Sequence, residues 1–283
     1  MKKAAVIAGG GSWGGDTVGQ LLALRPKYDV VVGTSTGACM APLVALGEYD
    51  RLSYVYQRLT NDRVFDVKPF KDNMKPRVGS WLARIAAGKL SLGETKALYY
   101  TLEEEFTEND YIKLKKRGVE VIVTYTNLNE APHTRYKALS DTINREEFLY
   151  YMWASACIPI ISSVPSRGGD QLTDGGLTES MPIDYTISNF DCRQIDCFTH
   201  ELDHSHDHEI VDSIWNFAGR VISIMREENK RSEIRIAQLL ANKSGVKVNY
   251  RHMTHKPELH YAQFDPKGMQ RMITTAENAI ISS

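Results

Sequence analysis

Short apolar runs punctuated by glycine and proline recur along the 283 residues of this chain. Residues 3–8 and 28–32 are apolar enough to be strands buried on both faces. Between them, residues 16–24 carry Val18, Leu21, Leu22 and Leu24 at helical spacing. Two strands separated by one short helix predict parallel neighbours joined by a right-handed crossover. A small-residue helix is expected over 38–47, ending at Gly47. Further helices are expected over 50–59, 94–106, 145–156 and 210–242, and from Pro266 onward. Further strands are expected over 119–127, 170–174, 195–199 and 246–252. This alternation predicts one domain over 1–283, a three-layer α/β/α sandwich with a mainly parallel central sheet. Residues 60–92 are the least regular stretch and are expected to form a cap or lid insertion.

Composition narrows the function classes. The formal net charge is −1, so no global basic field draws the chain to nucleic acid. No apolar run approaches the roughly 20 residues of a membrane-spanning helix. Met1-Lys2-Lys3 and the short apolar run after it lead into glycines rather than a cleavage site, which favours a first buried strand over a signal peptide. The four cysteines include no CxxC pair and fit reduced thiols, hence a cytoplasmic protein.

Three segments carry candidate chemistry. Gly33-Thr34-Ser35-Thr36-Gly37 directly follows Val30-Val31-Val32. Strand, GxSxG and helix together are the context of a nucleophile elbow, in which the sharp turn pushes the serine hydroxyl out above the sheet. Gly9-Gly10-Gly11-Ser12-Trp13-Gly14 follows the first strand. It fits a dinucleotide fingerprint, a tight turn, or a concavity of backbone N–H groups that would hold an oxyanion. The dinucleotide reading lacks its acid: Gly33-Thr34-Ser35 ends the second strand, and Asp29 lies at the opposite end. The third segment, Asp174-Gly175-Gly176, follows a short strand, and a desolvated carboxylate within reach can take a serine proton.

A histidine base is harder to place. His252, His255 and His260 come late, but none clearly follows a predicted strand toward the elbow. His200, His204, His206 and His208 are interleaved with acids at no standard zinc spacing, so a solvated loop is the simpler reading and no metal is assigned.

In their order, these segments resemble the patatin-like phospholipase family: a glycine-rich loop, a GxSxG elbow soon after, and Asp-Gly-Gly much later. Ala154-Ser155-Ala156-Cys157-Ile158-Pro159 resembles the family's ASxAxP block, Val121 to Asn127 its central strand, and Met181-Pro182-Ile183-Asp184 a following helix start. The resemblance implies a Ser35–Asp174 dyad with no catalytic histidine and no cofactor. It further implies an oxyanion hole at Gly9, Gly10, Gly11 and Gly14, and an elbow flanked by Gly33 and Gly37. The implied reaction is hydrolysis of phospholipid or lysophospholipid esters through an acyl-serine.

The chain departs from the pattern at Trp13, where the family usually carries Lys or Arg. A weakened lipid- or partner-binding protein on the same fold is therefore the alternative. In the 60–92 stretch, Phe65, Phe70, Trp81, Leu82 and Ile85 are candidates for an acyl groove or transient contact with a membrane surface; packing against the core is the competing reading. Lys68, Lys71, Lys75, Arg77 and Arg84 either meet lipid phosphates or form a solvated face.

Overall fold

The computed structural model describes residues 2–200 and 214–282. The strands are β1 (Lys2–Ile7), β2 (Val30–Thr34), β3 (Glu120–Asn127), β4 (Thr134–Ala138), β5 (Ser166–Arg167), β6 (Asp170–Asp174), β7 (Cys192–Phe198) and β8 (Lys247–Arg251). The helices are α1 (Gly14–Leu24), α2 (Thr36–Leu46), α3 (Tyr49–Gln57), α4 (Asn61–Val64), α5 (Val78–Ala86), α6 (Lys96–Glu105), α7 (Glu108–Arg117), α8 (Arg145–Ser155), α9 (Ile183–Asn189), α10 (Ile214–Ser244) and α11 (Pro266–Ile281).

Five strands run parallel in the order β3-β2-β1-β7-β8. Strands β4, β5 and β6 pair antiparallel at the β3 end, so the sheet is mixed. Alternation in β1 and β2 divides the core. Ala5, Ile7 and Val31 face a layer containing α1, α2, α3 and α11. Ala4, Val6, Val30 and Val32 face the opposite layer, where Ile183 of α9 and Ala237 of α10 pack. Residues on both faces are fully buried, which is why these strands read as continuous apolar runs. The result is an α/β fold with helices on both faces of the sheet.

The register at β3 positions the rest. β4 occupies one edge of β3 over Ile122–Thr126. The other edge pairs with β2 as far as Thr34 opposite Thr124. There β2 turns into α2, and β6 takes over the vacated edge with Asp174 opposite Tyr125. The end of β2 and the end of β6 therefore meet above consecutive residues of one strand.

The elements not expected from the pattern include α4 and α5 within the irregular 60–92 stretch, the short β5, and, next to the site, α7 and β4. The segment before β3 forms α7, opened by a reciprocal cap between Thr107 and Asp110 and closed by Gly118 with φ 67°. The chain after β3 returns as β4, half-buried along its length. His204, His206 and His208 lie outside the described residues. All four cysteines are free. No helix among the described residues is long and apolar enough to cross a membrane.

On the α9 and α10 side, Glu179 is buried and accepts from the Tyr136 hydroxyl. Burial, then a hydrogen bond shared with Asp184, pushes its carboxyl up from 4.5 to about 9. Between those values the unfolded chain binds fewer protons than the folded one, so this group's contribution to stability falls as pH rises through the window. Glu179→Gln keeps the shape of the neutral acid and cannot ionise. It is expected to melt at a higher temperature than the parent at the alkaline end of that window and at a similar temperature below it; parallel melting curves at both ends would refute this.

Candidate active site

The elbow is built by strain and close approach. Ser35 has φ 57° and ψ −122°, a conformation that costs a side-chain-bearing residue about 1–3 kcal/mol. A side chain on Gly37 would overlap the Ile7 carbonyl, and one on Gly33 would overlap the Gly37 backbone. Two glycines thus let β2 reverse into α2 against the end of β1. Ser35 sits at the N-cap position of α2 without capping it through its side chain, so its hydroxyl stands at the positive end of that helix.

The Ser35 hydroxyl donates to Oδ2 of Asp174 at 2.6 Å. Both residues are buried. The Asp174 side chain is fixed through Oδ1, which accepts the Gly176 amide at 2.7 Å. Its backbone is fixed as well: its N–H donates to the Cys157 carbonyl at 2.8 Å, and its carbonyl accepts from the Thr126 hydroxyl at 2.9 Å.

Ser155 ties the elbow to β3. Its hydroxyl donates to the Thr124 carbonyl at 2.6 Å and accepts the Ser35 amide at 2.8 Å. The block Ala154-Ser155-Ala156-Cys157 therefore supports both Ser35, through Ser155, and Asp174, through the Cys157 carbonyl.

The glycine loop lies over the serine. A Cβ on Gly9 would come within 2.8 Å of the Ser35 Cβ. Gly11 has φ 56° and lines the same cavity as Ser35; a side chain there would overlap the Tyr261 carbonyl. The amides of Gly10 and Gly11 donate to no other described group. Gly14 differs. Its amide points back at the carbonyls of Gly11 and Ser12, and it packs against Thr36 and Met40. Of the four glycines expected to hold an oxyanion, Gly14 is thus committed to a turn rather than open to the cavity.

His200, read from the sequence as part of a solvated loop, is instead buried, and with Trp13 it holds this loop. The His200 ring packs on Gly10, its Nδ1 lies 3.1 Å from the Gly9 carbonyl, and its Nε2 lies 3.1 Å from the Thr17 hydroxyl. Trp13 donates from Nε1 to the Leu259 carbonyl at 2.7 Å, and its ring meets Tyr261 edge-on. The Ser12 amide donates to the Tyr261 carbonyl at 2.9 Å, and its hydroxyl to the His260 carbonyl at 3.0 Å. The segment 252–265 is itself tied down where Asp16 accepts from Thr254 and Gln20 donates to the His252 carbonyl. His255 packs against the same Asp16 carboxylate at 3.2 Å. The late histidines thus belong to this strap rather than to Ser35.

From Ser35 an apolar cavity of about 90 Å³ runs into the helical layer. Cys39, Leu43, Leu52, Leu102 and Met152 line it, so α2, α3, α6 and α8 supply its walls. Burial pushes the Cys39 thiol up to about 12, leaving it a neutral wall atom. Of the apolar candidates in 60–92, Phe65 lines the cavity. Phe70 and Trp81 do not; they pack on each other, and Trp81 donates to the Pro69 carbonyl at 2.7 Å. Leu82 and Ile85 point to solvent.

The patatin-like phospholipase family model matches residues 5–187, and the chain belongs to that family. The match spans the glycine loop, the elbow and Asp174 and ends before the strap at 252–265. A search of curated proteins finds no match. Among solved structures, VipD from Legionella pneumophila is similar at 16% identity with a TM-score of 0.46, covering 99% of this chain and 66% of that one. The chain thus spans slightly less than two thirds of the VipD chain.

Removing the Ser155 hydroxyl leaves the buried Ser35 amide without an acceptor, a penalty of about 1–3 kcal/mol. Ser155→Ala is expected to lose that much stability in urea unfolding; an unchanged midpoint would show that the elbow does not depend on this bond.

Proposed function

We propose that this protein is a lipid acyl hydrolase that cleaves carboxylic esters of phospholipids or lysophospholipids. The observation that carries this reading is the 2.6 Å bond from Ser35 to Asp174 at the mouth of an apolar cavity. Asp174 takes the hydroxyl proton as Ser35 Oγ attacks the ester carbonyl carbon. The free amides of Gly10 and Gly11 hold the oxyanion, aided by the N-terminus of α2. Collapse breaks the ester C–O bond, and the proton on Asp174 passes to the departing alcohol. Asp174 then deprotonates a water that attacks the acyl-serine, releasing the fatty acid and returning a proton to Ser35. Trp13 is compatible with turnover, because its indole anchors the glycine loop to Leu259 and the amides need no added cation to be held in place.

A fluorophosphonate ester is expected to add one label, located by mass spectrometry on Ser35. Ser35→Ala and Asp174→Ala are each expected to lower hydrolysis of a soluble ester by at least about 10³-fold. Full activity in either variant would refute the dyad, and an unlabelled Ser35 would favour a binding protein on this fold.

The same reading includes transient contact with an anionic membrane surface through the cap at 60–92. Val78, Leu82 and Ile85 form an exposed stripe along α5, and Leu90 and Ile160 are exposed nearby. Lys71, Lys75, Arg77 and Lys89 are also exposed and form no ion pair among the described residues. Arg84 and Lys68 are already engaged with Glu94 and Asp62. Apolar side chains rimmed by cations outside any ion pair match a surface of acyl chains under anionic headgroups. The chain is expected to sediment with vesicles of phosphatidylcholine mixed with phosphatidylglycerol, and Leu82→Asp with Ile85→Asp to weaken this about tenfold. Equal binding to pure phosphatidylcholine would remove the role of the cations.

A further inference from the structure

Two peptide units of the glycine loop are each held by their carbonyl. In a trans peptide the C=O and the N–H that follows it point in opposite directions, so a donor on the carbonyl also aims the amide. The Gly10 carbonyl accepts the Trp13 amide at 3.1 Å, which fixes the Gly11 N–H. The Gly9 carbonyl faces Nδ1 of His200 at 3.1 Å, which fixes the Gly10 N–H and turns it away from the histidine. Both amides are left without another described acceptor. The first peptide is set by backbone, the second by a side chain 191 positions further along the chain.

The chemistry of the contacts assigns the proton. A carbonyl oxygen only accepts, so the bond to Gly9 requires a proton on Nδ1 of His200. Nε2 of the neutral ring is then an acceptor, and the Thr17 hydroxyl, 3.1 Å away, is a donor for it. Thr17 on α1 and His200 are both buried. Thr17 thus selects the tautomer that reaches Gly9. Without the Nδ1 proton little opposes rotation of the Gly9–Gly10 peptide, because neither flanking residue has a side chain. Rotation would put a carbonyl where the N–H stands. With His200 in place it would also leave the buried Nδ1 proton without the Gly9 acceptor, which disfavours the rotated peptide by about ten- to 100-fold.

We propose that His200 is a positioning residue for ester hydrolysis: it holds the Gly9–Gly10 peptide with its N–H turned to the oxyanion, and Thr17 keeps the ring in the tautomer that does so. This role rests on the hydrolase reading of Ser35. His200 lies outside the cavity wall and takes no proton from Ser35, whose hydroxyl is bonded to Asp174. It acts through the direction of one amide, and its bond to the Gly9 carbonyl polarises the same peptide and strengthens that amide as a donor. Removing one oxyanion donor lowers kcat by about 10²–10³-fold. A donor left in place but misaimed is expected to cost about ten- to 100-fold.

The test separates the hydrogen bond from packing, in the full chain with a soluble ester. His200→Phe keeps a ring against Gly10 and removes the donor; it is expected to lower kcat about ten- to 100-fold with KM within about twofold. His200→Asn gives up the ring but keeps an N–H at the place of Nδ1, and is expected to retain kcat within about fivefold. His200→Gln carries its amide one carbon further and is expected to behave like His200→Phe. Thr17→Val is the mildest change and is expected to lower kcat by about three- to tenfold. A kcat higher in His200→Phe than in His200→Asn would make packing the role and overturn the proposal, as would a kcat that none of the four substitutions moves. A second readout needs no turnover. Glycine labelled at its carbonyl carbon and its nitrogen gives correlated resonances only from consecutive glycines, so the Gly9–Gly10 peptide is read directly. His200→Phe is expected to move the Gly9 carbonyl resonance and His200→Asn to return it toward that of the parent; an unmoved resonance would overturn the proposal. Absence of ester hydrolysis in the parent would count against Ser35 and Asp174, and the resonance would still decide whether His200 sets this peptide.

Discussion

The hydrogen bond from Ser35 to Asp174 exists because one edge of β3 serves two partners in succession. β2 uses that edge up to Thr124 and then leaves through a strained turn. β6 arrives from the opposite direction and starts at Tyr125. A shift of one residue in either ladder would turn Ser35 or Asp174 to the other face of the sheet. Ser155 guards this register: one hydroxyl binds the Thr124 carbonyl and the Ser35 amide, so the position of α8 is written into the elbow. The strained backbone at Ser35 persists because these neighbours over-determine it.

The strap at 252–265 adds what the β3 register cannot. Residues more than two hundred positions away hold the glycine loop through Trp13, Ser12 and the Tyr261 carbonyl. The same strap supplies Tyr261 and Phe264 to the cavity wall. The loop therefore depends on chain that lies beyond the stretch defining the family. At position 13 an indole N–H on a backbone carbonyl does this tethering work.

Much of the fold was legible, because strands buried on both faces leave unbroken apolar runs, as in β1, β2 and β3. The order of the glycine loop, the elbow and Asp174 was legible too, since each needs glycine for a steric reason that substitution would violate. The antiparallel margin was not. β4 is half-buried and carries Arg135 and Lys137, so its pattern resembles a loop. α7 was missed because only Tyr111, Ile112 and Leu114 are apolar in its ten residues, and the rest of its helical signal is a polar cap, Thr107 with Asp110. The cavity walls were sought in 60–92, where aromatic residues cluster. They come instead mainly from ordinary aliphatic positions on α2, α3, α6 and α8, whose meeting is a matter of tertiary packing that no local window records. His200 looked like the start of a histidine-rich tract and proved to be packing for Gly10.

Trp13 has a further consequence for how the molecule responds to its surroundings. A neutral donor on a backbone carbonyl is largely indifferent to dissolved ions, whereas attraction between exposed lysines and an anionic surface decays over a Debye length of about 8 Å at physiological ionic strength. Ionic strength thus acts on the two ends of the proposed pathway separately. It acts on the proposed contact between exposed cations and a charged surface, and hardly at all on the Trp13 tether that holds the glycine loop.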